Sequence, residues 1–291
     1  MEEKIMKALT HKIDFTVVLS VTKANPNGDP LGGNRPRQTY DGLGEISDVA
    51  IKRKIRNRLQ DMGERIFVQS QDRSDDGYKS LKERADSVEE LKKIATDKKK
   101  ADADAFSKIA CEQWIDTRSF GQVFAFKGDS LSVGVRGPVS IQTAVSVEPI
   151  TINSMQITKS VNSESTAGKA SDTMGMKHFV EFGLYRFNGS INVQLAEKTG
   201  FSAEDAEKIK EALRTLFEND ASSARPDGSM AVEKIYWWEH PNKLGKASSA
   251  KVHRTVEIKK KSDVENPKSI EDFEINVKDI DGIKRTDIEG L

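Results

Sequence analysis

The order of a strand, a loop and a helix near the N-terminus constrains the fold more than any other feature. Residues 11–22, HKIDFTVVLSVT, combine β-branched and aromatic residues with partial alternation, which predicts a strand. A Gly/Pro-rich loop follows. Ser47 is a suitable N-cap, and the sequence after it predicts a helix that ends at Gly63. Four apolar residues at helical spacing predict the buried seam of this helix: Ile51, Ile55, Leu59 and Met62.

The remainder of the chain repeats this alternation. A β-rich region covers residues 114–157, and a strand pattern resumes at residue 178. A second helix is predicted from Ser202 to Glu218, with the apolar stripe Ala206, Ile209, Leu213 and Leu216, and residues 230–240 predict another strand. Without insertions, the order β, α, β-rich region, β, α, β predicts an α+β fold with the ferredoxin-like layout of RNA-recognition domains. The aromatic signature of those domains is missing, so the fold alone says little about function.

Two segments interrupt this pattern. Residues 72–108 contain helix formers, dense mixed charge and few large apolar residues, which predicts an inserted, mostly exposed helical segment. Its DKKKADAD stretch is a candidate loop tip. Residues 160–175 are rich in Ser, Thr and Gly and cannot bury a core, so we expect a protruding loop or hairpin. The last forty residues are charged, with short strand-like pieces.

Composition limits the kind of partner and compartment. The 291 residues suffice for one large domain or two small ones. No apolar run approaches the ~18 residues of a membrane span, and the N-terminus lacks the apolar stretch of a signal peptide. The single cysteine, Cys111, fits a reducing cytosol, so a cytoplasmic protein without membrane partners is expected. The 46 basic and 46 acidic residues balance, so a polyanion site requires a local concentration of charge, as in IKRKIRNRL at residues 51–59.

The usual catalytic motifs are missing. None of the histidines His11, His178, His240 and His253 pairs with another histidine or with Cys111 at metal-ligand spacing, so neither a metal nor a cofactor is expected. The sequence has no phosphate-binding P-loop and no G-x-S-x-G elbow. Asp29 and Asp41 could hold a metal for phosphodiester cleavage, although turn formation alone also selects a sequence such as NPNGDP.

The first loop and the helix after it predict a cradle for several phosphates in a row. Glycines permit close backbone approach, asparagines supply neutral donors, arginines supply charge, and the helix start near Ser47 favours an anion. Helical spacing places Lys52, Arg53 and Arg56 on one exposed side. The alternative is a surface turn followed by an ordinary solvated basic helix. The candidate residues are Asn25, Asn27, Gly28, Gly32, Gly33, Asn34, Arg35, Arg37, Ser47, Lys52, Arg53 and Arg56.

Three stretches together resemble a known family: ANPNGDPLGGNRPR, ISDVAIKRKIRN and TMGMKHFVEFGLYRFNGSI. They are similar to the backbone subunit of the type I-C CRISPR Cascade complex, the Cas-seven family of the repeat-associated superfamily. The similarity extends from Ile13 to about Glu239. The N-terminal motif is specific because the strand, the loop and the helix occur in one order.

The resemblance implies a hand-shaped, non-catalytic subunit with an RNA-recognition-like palm, helical fingers and a thumb hairpin. Copies would stack in a helical filament along CRISPR RNA, with the thumb of one copy reaching the next. The guide would be held by its backbone, with its bases presented for pairing with target DNA in antiviral defence beside other Cascade subunits. The implied divisions are palm 11–66, 136–157 and 178–240, fingers 67–135, thumb 158–177 and C-terminal extension 241–291.

The resemblance also implies that the thumb contributes to RNA binding. Its candidate residues are Lys159, Lys169, Met174 and Met176, with Lys177 as a further cation. The alternative is a loop without a partner. Two other functions stay open: a metal-dependent target-RNA endonuclease that uses Asp29 or Asp41, as in type III relatives, and a stand-alone RNA-binding protein.

Overall fold

The computed structural model describes residues 7–97, 101–158 and 174–291. The strands in these ranges are β1 (Ile13–Ala24), β2 (Gly28–Asp29), β3 (Arg35–Pro36), β4 (Leu43–Ile46), β5 (Gly121–Phe124), β6 (Val133–Arg136), β7 (Val139–Ile141), β8 (Ala144–Pro149), β9 (Ile152–Thr158), β10 (Met174–Ile191), β11 (Met230–Glu239), β12 (Val256–Lys260), β13 (Phe273–Val277) and β14 (Lys284–Glu289). The α-helices are α1 (Asp48–Asp61), α2 (Leu81–Asp86), α3 (Glu89–Thr96), α4 (Ala103–Gln113), α5 (Ile115–Phe120), α6 (Val193–Thr199), α7 (Ala203–Arg214) and α8 (Ser249–His253).

An antiparallel sheet organises the chain. Its strand order is β14-β11-β1-β10-β8-β4, and β7 and β9 also pair with β10. The first predicted strand, now β1, lies in the middle because its first nine residues are all buried. β10 pairs with β1 from Ile13↔Ile191 to Ala24↔Val180 and extends beyond the end of β1, where β9 is its partner strand.

One face of the sheet packs against α1 and α7. The predicted seam of α1 is confirmed: Ile51, Ile55 and Leu59 are buried, and Met62 packs partly against the same core. The predicted start of the second helix is also confirmed, because Ser202 caps α7 in a reciprocal capping box with Asp205. These helices formed where the sequence pattern placed them because each buries one continuous apolar stripe.

The inserted segment is helical and mostly exposed, as expected, and together with its flanking residues it also builds a hydrophobic core of its own. The ring of Phe67 lies 4.7 Å from that of Trp114 and 4.9 Å from that of Phe124, between ring centroids. Phe106 packs edge-on against Phe124 at 5.1 Å. These side chains join α4 to the β5–β6 hairpin and give the insertion internal rigidity. Residues 98–100, in the expected loop tip, lie outside the described residues.

The charged C-terminal segment covers the second face of the sheet. Its Val252, Val256 and Phe273 pack over a sheet surface that includes Tyr236 and Trp238, all of them nearly inaccessible to solvent. β14 extends the same sheet beside β11. The second face is therefore closed by the chain itself and offers no open surface for base stacking. The strand-like pieces in this segment were predicted, but their role as a cover for the sheet was not.

A buried polar cluster fastens this cover to the sheet. Asp14 on β1 is fully buried and accepts a hydrogen bond from His240 Nε2 at 2.8 Å, while Lys12 Nζ lies 3.0 Å away. His240 Nδ1 accepts the backbone N–H of Lys246 at 3.0 Å, so Nε2 carries the ring proton. Burial pushes the pKa of Asp14 upward, but hydrogen bonds from His240, Ser249 and Lys12 outweigh burial and hold this pKa below its ordinary value.

Among the described residues, no helix is long and apolar enough to cross a bilayer.

Candidate functional site

The first loop is an ordered turn built around Asp29. β2 and β3 pair through Gly28↔Pro36 and Asp29↔Arg35. The Asp29 carboxylate accepts the backbone N–H of Leu31 at 3.3 Å and lies 3.3 Å from Arg37 Nη2. Internal hydrogen bonds thus fix the loop without a ligand.

The glycines of this loop have different roles. Gly33 has a φ of 67° and the next residue, Asn34, has a φ of 61°, so both occupy the left-handed region. Gly28 has no positive φ, and a Cβ there would overlap the side chain of Asn34. A Cβ on Gly32 would lie 3.2 Å from Asp29 Oδ2. Internal packing therefore explains Gly28 and backbone conformation explains Gly33, whereas contact with a phosphate stays a prediction.

Several predicted donors are already used inside the protein. Asn25 is buried, and its Nδ2 donates to the carbonyl of Asn34 at 2.7 Å, which corrects its expected place on the binding surface. Asn27 Oδ1 accepts both the N–H and the hydroxyl of Ser47, each at 2.9 Å. The Ser47 hydroxyl accepts the N–H of Ala50 at 3.3 Å, as expected of an N-cap. This network connects the loop rigidly to the start of α1.

The prediction of an exposed basic face on α1 is wrong. Its basic side chains Lys52, Arg53 and Arg56 are half-buried and bonded within the chain. Lys52 pairs with Asp48 at 3.0 Å. Arg53 donates to the carbonyl of Val68 at 2.5 Å. Arg56 Nε donates to the buried carboxylate of Asp116 at 3.0 Å. A contact between this helix and RNA stays a prediction, but these three cations are not a free array.

Lys54, in the basic stretch 51–59, is buried beside the apolar seam. Its ammonium pairs with Asp220 and lies 5.4 Å from the ring centroid of Phe217. Burial lowers the pKa of Lys54 to about 8. The dense basic composition of α1 therefore serves packing and ion pairing as well as surface charge.

The stem of the expected thumb projects beside the first loop. Its strands β9 and β10 pair from Ile152↔Val180 to Thr158↔Met174. Four large apolar side chains on it are about half exposed: Met155, Ile157, Met174 and Met176. The candidates Lys159 and Lys169, with the rest of 159–173, lie outside the described residues.

A polar cluster joins the first loop to this stem. Arg35 Nη1 donates to Ser154 Oγ at 3.0 Å, and His178 Nδ1 lies 2.8 Å from the same oxygen. Ser154 and His178 face each other across β9 and β10. Neither residue was among the predicted RNA-binding residues. The alternation of Met174, Met176 and His178 along one strand face was the signal that could have found His178.

The candidate carboxylates near the first loop belong to no metal-binding cluster of the described residues, and the single thiol is buried. Asp29 is engaged with Leu31 and Arg37, and Asp41 lies exposed in the next turn. Among the described residues, no three His, Cys, Asp or Glu side chains come together in a way that could hold a metal ion. Cys111 is buried, and burial raises the pKa of its thiol to about 12, which keeps the thiol protonated.

These features define a class of protein. It is an α+β protein whose central sheet is covered on both faces, with an inserted helical unit and a projecting hairpin stem beside an ordered polar loop. A family model described as CRISPR-associated protein Cas7 matches residues 11–278. Because this match spans most of the chain, the protein belongs to the CRISPR-associated protein Cas7 family.

The individual proteins that this chain resembles share fewer than a third of its residues in the aligned regions. "CRISPR-associated protein Cas7" of Haloferax volcanii (strain ATCC 29605 and its equivalents) is 27% identical over 238 residues, which cover 73% of this chain and 66% of the relative. The matched region is thus slightly under two thirds of that relative. Two solved structures are similar to this chain at 16% identity. One, "CRISPR RNA-guided surveillance complex, pre-nicking", has a TM-score of 0.46 over 78% of this chain and 75% of its own. The other, "CRISPR RNA-guided surveillance complex", has a TM-score of 0.43 over 78% and 68%.

Proposed function

We propose that this protein is the non-catalytic backbone subunit of a type I-C CRISPR surveillance complex in the cytoplasm. Copies bind guide RNA side by side, assemble with other subunits of the complex, and hold the guide for pairing with target DNA. The observation that carries this proposal is the junction of the first loop with the hairpin stem, where Arg35 and His178 both contact Ser154 beside exposed methionines. Family membership supports the guide RNA as ligand, and the resemblance of the loop and helix motifs supports the type I-C assignment.

We infer that the palm is ferredoxin-like. Counted along the chain, β1, β8, β10 and β11 are its four strands, with α1 after the first and α7 after the third. In the sheet, the fourth lies beside the first and the third beside the second, all antiparallel. The insertion between α1 and β7 is then the fingers, and the β9–β10 hairpin is the thumb.

The RNA surface lies at the loop–stem junction rather than on the sheet. An RNA-recognition domain stacks bases on the open face of its sheet, but here the C-terminal segment occupies that face. Asn34 and Arg35 are exposed in the loop, and Arg35 is bonded through Ser154 to the stem that carries the exposed Met174 and Met176. Together these residues offer a neutral donor, charge and apolar surface. Such a mixture suits sequence-independent binding of an RNA backbone.

Replacement of residues 161–173 by a short Gly-Ser linker tests the thumb. The stem remains, so the circular-dichroism spectrum and the melting temperature should not change, but long RNA-bound filaments should disappear in electron micrographs. A matched control replaces the exposed loop at 262–268 with the same linker. Filaments of normal length in the thumb variant would contradict the proposal, as would light scattering that shows only monomers on guide RNA.

The non-catalytic part of the proposal has its own test. The assembled complex is incubated with Mg²⁺ and RNA complementary to the guide, and the products are separated on a sequencing gel. We expect intact RNA, because Asp29 is held by Leu31 and Arg37. Regularly spaced cuts that vanish in Asp29→Ala or Asp41→Ala would instead establish an endonuclease.

A further inference from the structure

Most cationic side chains of the first loop and of α1 named above pair with carboxylates. Arg37 lies against Asp29, Lys52 against Asp48, and Arg56 against Asp116. Arg35 and His178 differ from these, because among the described residues the only side-chain partner of each is the neutral hydroxyl of Ser154. In the part of the chain that the structure describes, neither group has an Asp or Glu oxygen within 4.0 Å.

We propose that Arg35, Ser154 and His178 form a phosphodiester-binding site whose affinity for RNA rises when His178 is protonated. The inference rests on the proposed function for the identity of the polymer. It adds a binding residue, His178, and a pH dependence that family membership does not supply.

Hydrogen-bond capacity shows how the cluster would hold an anion. A guanidinium carries five N–H donors, and Arg35 uses one of them on Ser154. A serine hydroxyl has one proton and two acceptor lone pairs. When His178 is neutral with Nδ1 unprotonated, Ser154 accepts from Arg35 and donates its proton to Nδ1. The free imidazole donor is then Nε2–H.

Protonation of His178 changes the role of Ser154. Both ring nitrogens then donate, so Ser154 accepts from Nδ1–H and from Arg35, and its own O–H becomes available to a ligand. A phosphodiester oxygen would gain this O–H, the Nε2–H of a charged imidazolium, and the remaining N–H groups of Arg35. Charge-assisted hydrogen bonds of this kind are roughly twice as strong as neutral ones.

The surroundings leave His178 open to this role. On β9 its neighbours Ser154 and Gln156 are neutral, and on the first loop the facing charge is Arg35. Asp29, the nearest acid along that loop, is engaged with Arg37. On β10 itself, Lys177 and Glu181 lie at odd positions and therefore on the opposite face from His178.

The ligand class follows from the residues beyond the cluster. Met176 and Met174 come next on the same face of β10, at about 7 Å intervals, and both are more than half exposed. A free phosphate ion would not use this apolar surface, whereas a nucleotide in a chain places a sugar or base beside its phosphate. The site therefore fits single-stranded RNA.

Fluorescence anisotropy with an end-labelled single-stranded oligouridylate of about 30 nucleotides tests the site at about pH 7.5 and about pH 6. Wild-type affinity should rise by about three- to tenfold at the lower pH. His178→Gln should bind equally at both values, and Ser154→Ala should show a smaller rise. Arg35→Gln should bind about tenfold more weakly at both. The matched control is His11→Gln, which lies two residues before β1, at the end of that strand remote from the stem, and should keep the full rise.

Melting temperatures at both pH values accompany each measurement, so that a change in stability is not taken for a change in affinity. A rise in affinity that survives His178→Gln would overturn this site while leaving the proposed function standing. Wild-type protein that binds no RNA at either pH would overturn both.

Discussion

Arg56 on α1 donates its Nε–H to the carboxylate of Asp116 on α5 across 3.0 Å, and this carboxylate also accepts the backbone N–H groups of Phe67 and Val68 at 2.7 and 3.0 Å. Asp116 is 1% exposed. The guanidinium of Arg56 also lies over the ring of Phe120, 5.0 Å from its centroid. A cation on α1 therefore neutralises the acid that fixes the entry into the inserted segment.

Loss of this cation should destabilise the protein. Arg56→Ala leaves the Asp116 charge buried without its partner, and we expect the free energy of unfolding to fall by about 3 kcal/mol in urea titrations. Lys52→Ala is the matched control, because Lys52 lies on the same helix in a solvent-accessible pair with Asp48 and should cost no more than about 0.5 kcal/mol. Equal losses in the two variants would show that the Arg56–Asp116 pair has no special structural role.

The same control variant tests whether α1 contacts RNA. Because Lys52→Ala should leave the fold intact, any loss of affinity reports binding. If the Lys52 ammonium contacts a guide phosphate, binding to every guide sequence should weaken alike, and the slope of log affinity against log salt should become shallower by about 1. An unchanged slope would remove Lys52 from the interface.

Protonation of His253 at acid pH should destabilise the packing of the C-terminal cover on the sheet. This side chain is 6% exposed, and its Nε2 bonds to the carbonyl of Gly189 at 3.0 Å. Burial lowers the pKa of His253 below its ordinary value of 6.5. The unfolded chain therefore binds a proton at higher pH than the folded protein, so stability is full above about pH 6.5 and falls as the pH drops toward the folded pKa.

We expect wild type to lose about 1 kcal/mol of unfolding free energy per pH unit just below pH 6. His253→Gln keeps an N–H donor for Gly189 and should lose less, whereas His11→Gln should behave as wild type. The fluorescence of buried Trp238, under the same cover, provides the readout. The Asp14 carboxyl affects stability in a different pH range. Because its pKa is lowered in the folded protein, its protonation reduces stability only below about pH 3.8. Parallel curves for wild type and His253→Gln would refute the assignment.

Local periodicity explains which elements the sequence could predict. β1, α1 and α7 each carry a continuous apolar pattern, and each lies close to its predicted range. The core of the insertion was missed because Phe67 and Phe124, which pack together, lie on opposite sides of the charged stretch. The cover was missed because its apolar residues occur singly among charges.

Ion pairing explains why the site was harder to predict than the fold. Helical spacing placed Lys52, Arg53 and Arg56 on one side of α1, but spacing says nothing of partners far away in sequence. Asp116 lies sixty residues from Arg56 and can be paired with it only in three dimensions. Conversely, Arg35 lacks a carboxylate partner among the described residues, and only the structure could show that.

The register of the hairpin stem predicts different partners for its two faces. Opposed residues of an antiparallel pair lie on the same face, so Met174 and Met176, opposite Thr158 and Gln156, share the face of His178. This face continues into the first loop through the bond from Arg35 to Ser154. Met155 and Ile157 lie on the other face, opposite Lys177 and Gly175.

We therefore expect two double variants of similar hydrophobic loss to behave differently. Met174→Ser with Met176→Ser should weaken binding to a short RNA that holds one copy by roughly 1 kcal/mol per side chain, because both methionines border the proposed phosphate site. Met155→Ser with Ile157→Ser should leave short-RNA affinity unchanged and shorten the assemblies on long RNA, because a flat apolar face on a projecting stem suits contact with the next copy. Anisotropy on short RNA and electron microscopy on long RNA separate the two effects. The assignment of faces fails if both double variants lose short-RNA affinity equally, and it is reversed if the Met155 and Ile157 variant alone does so.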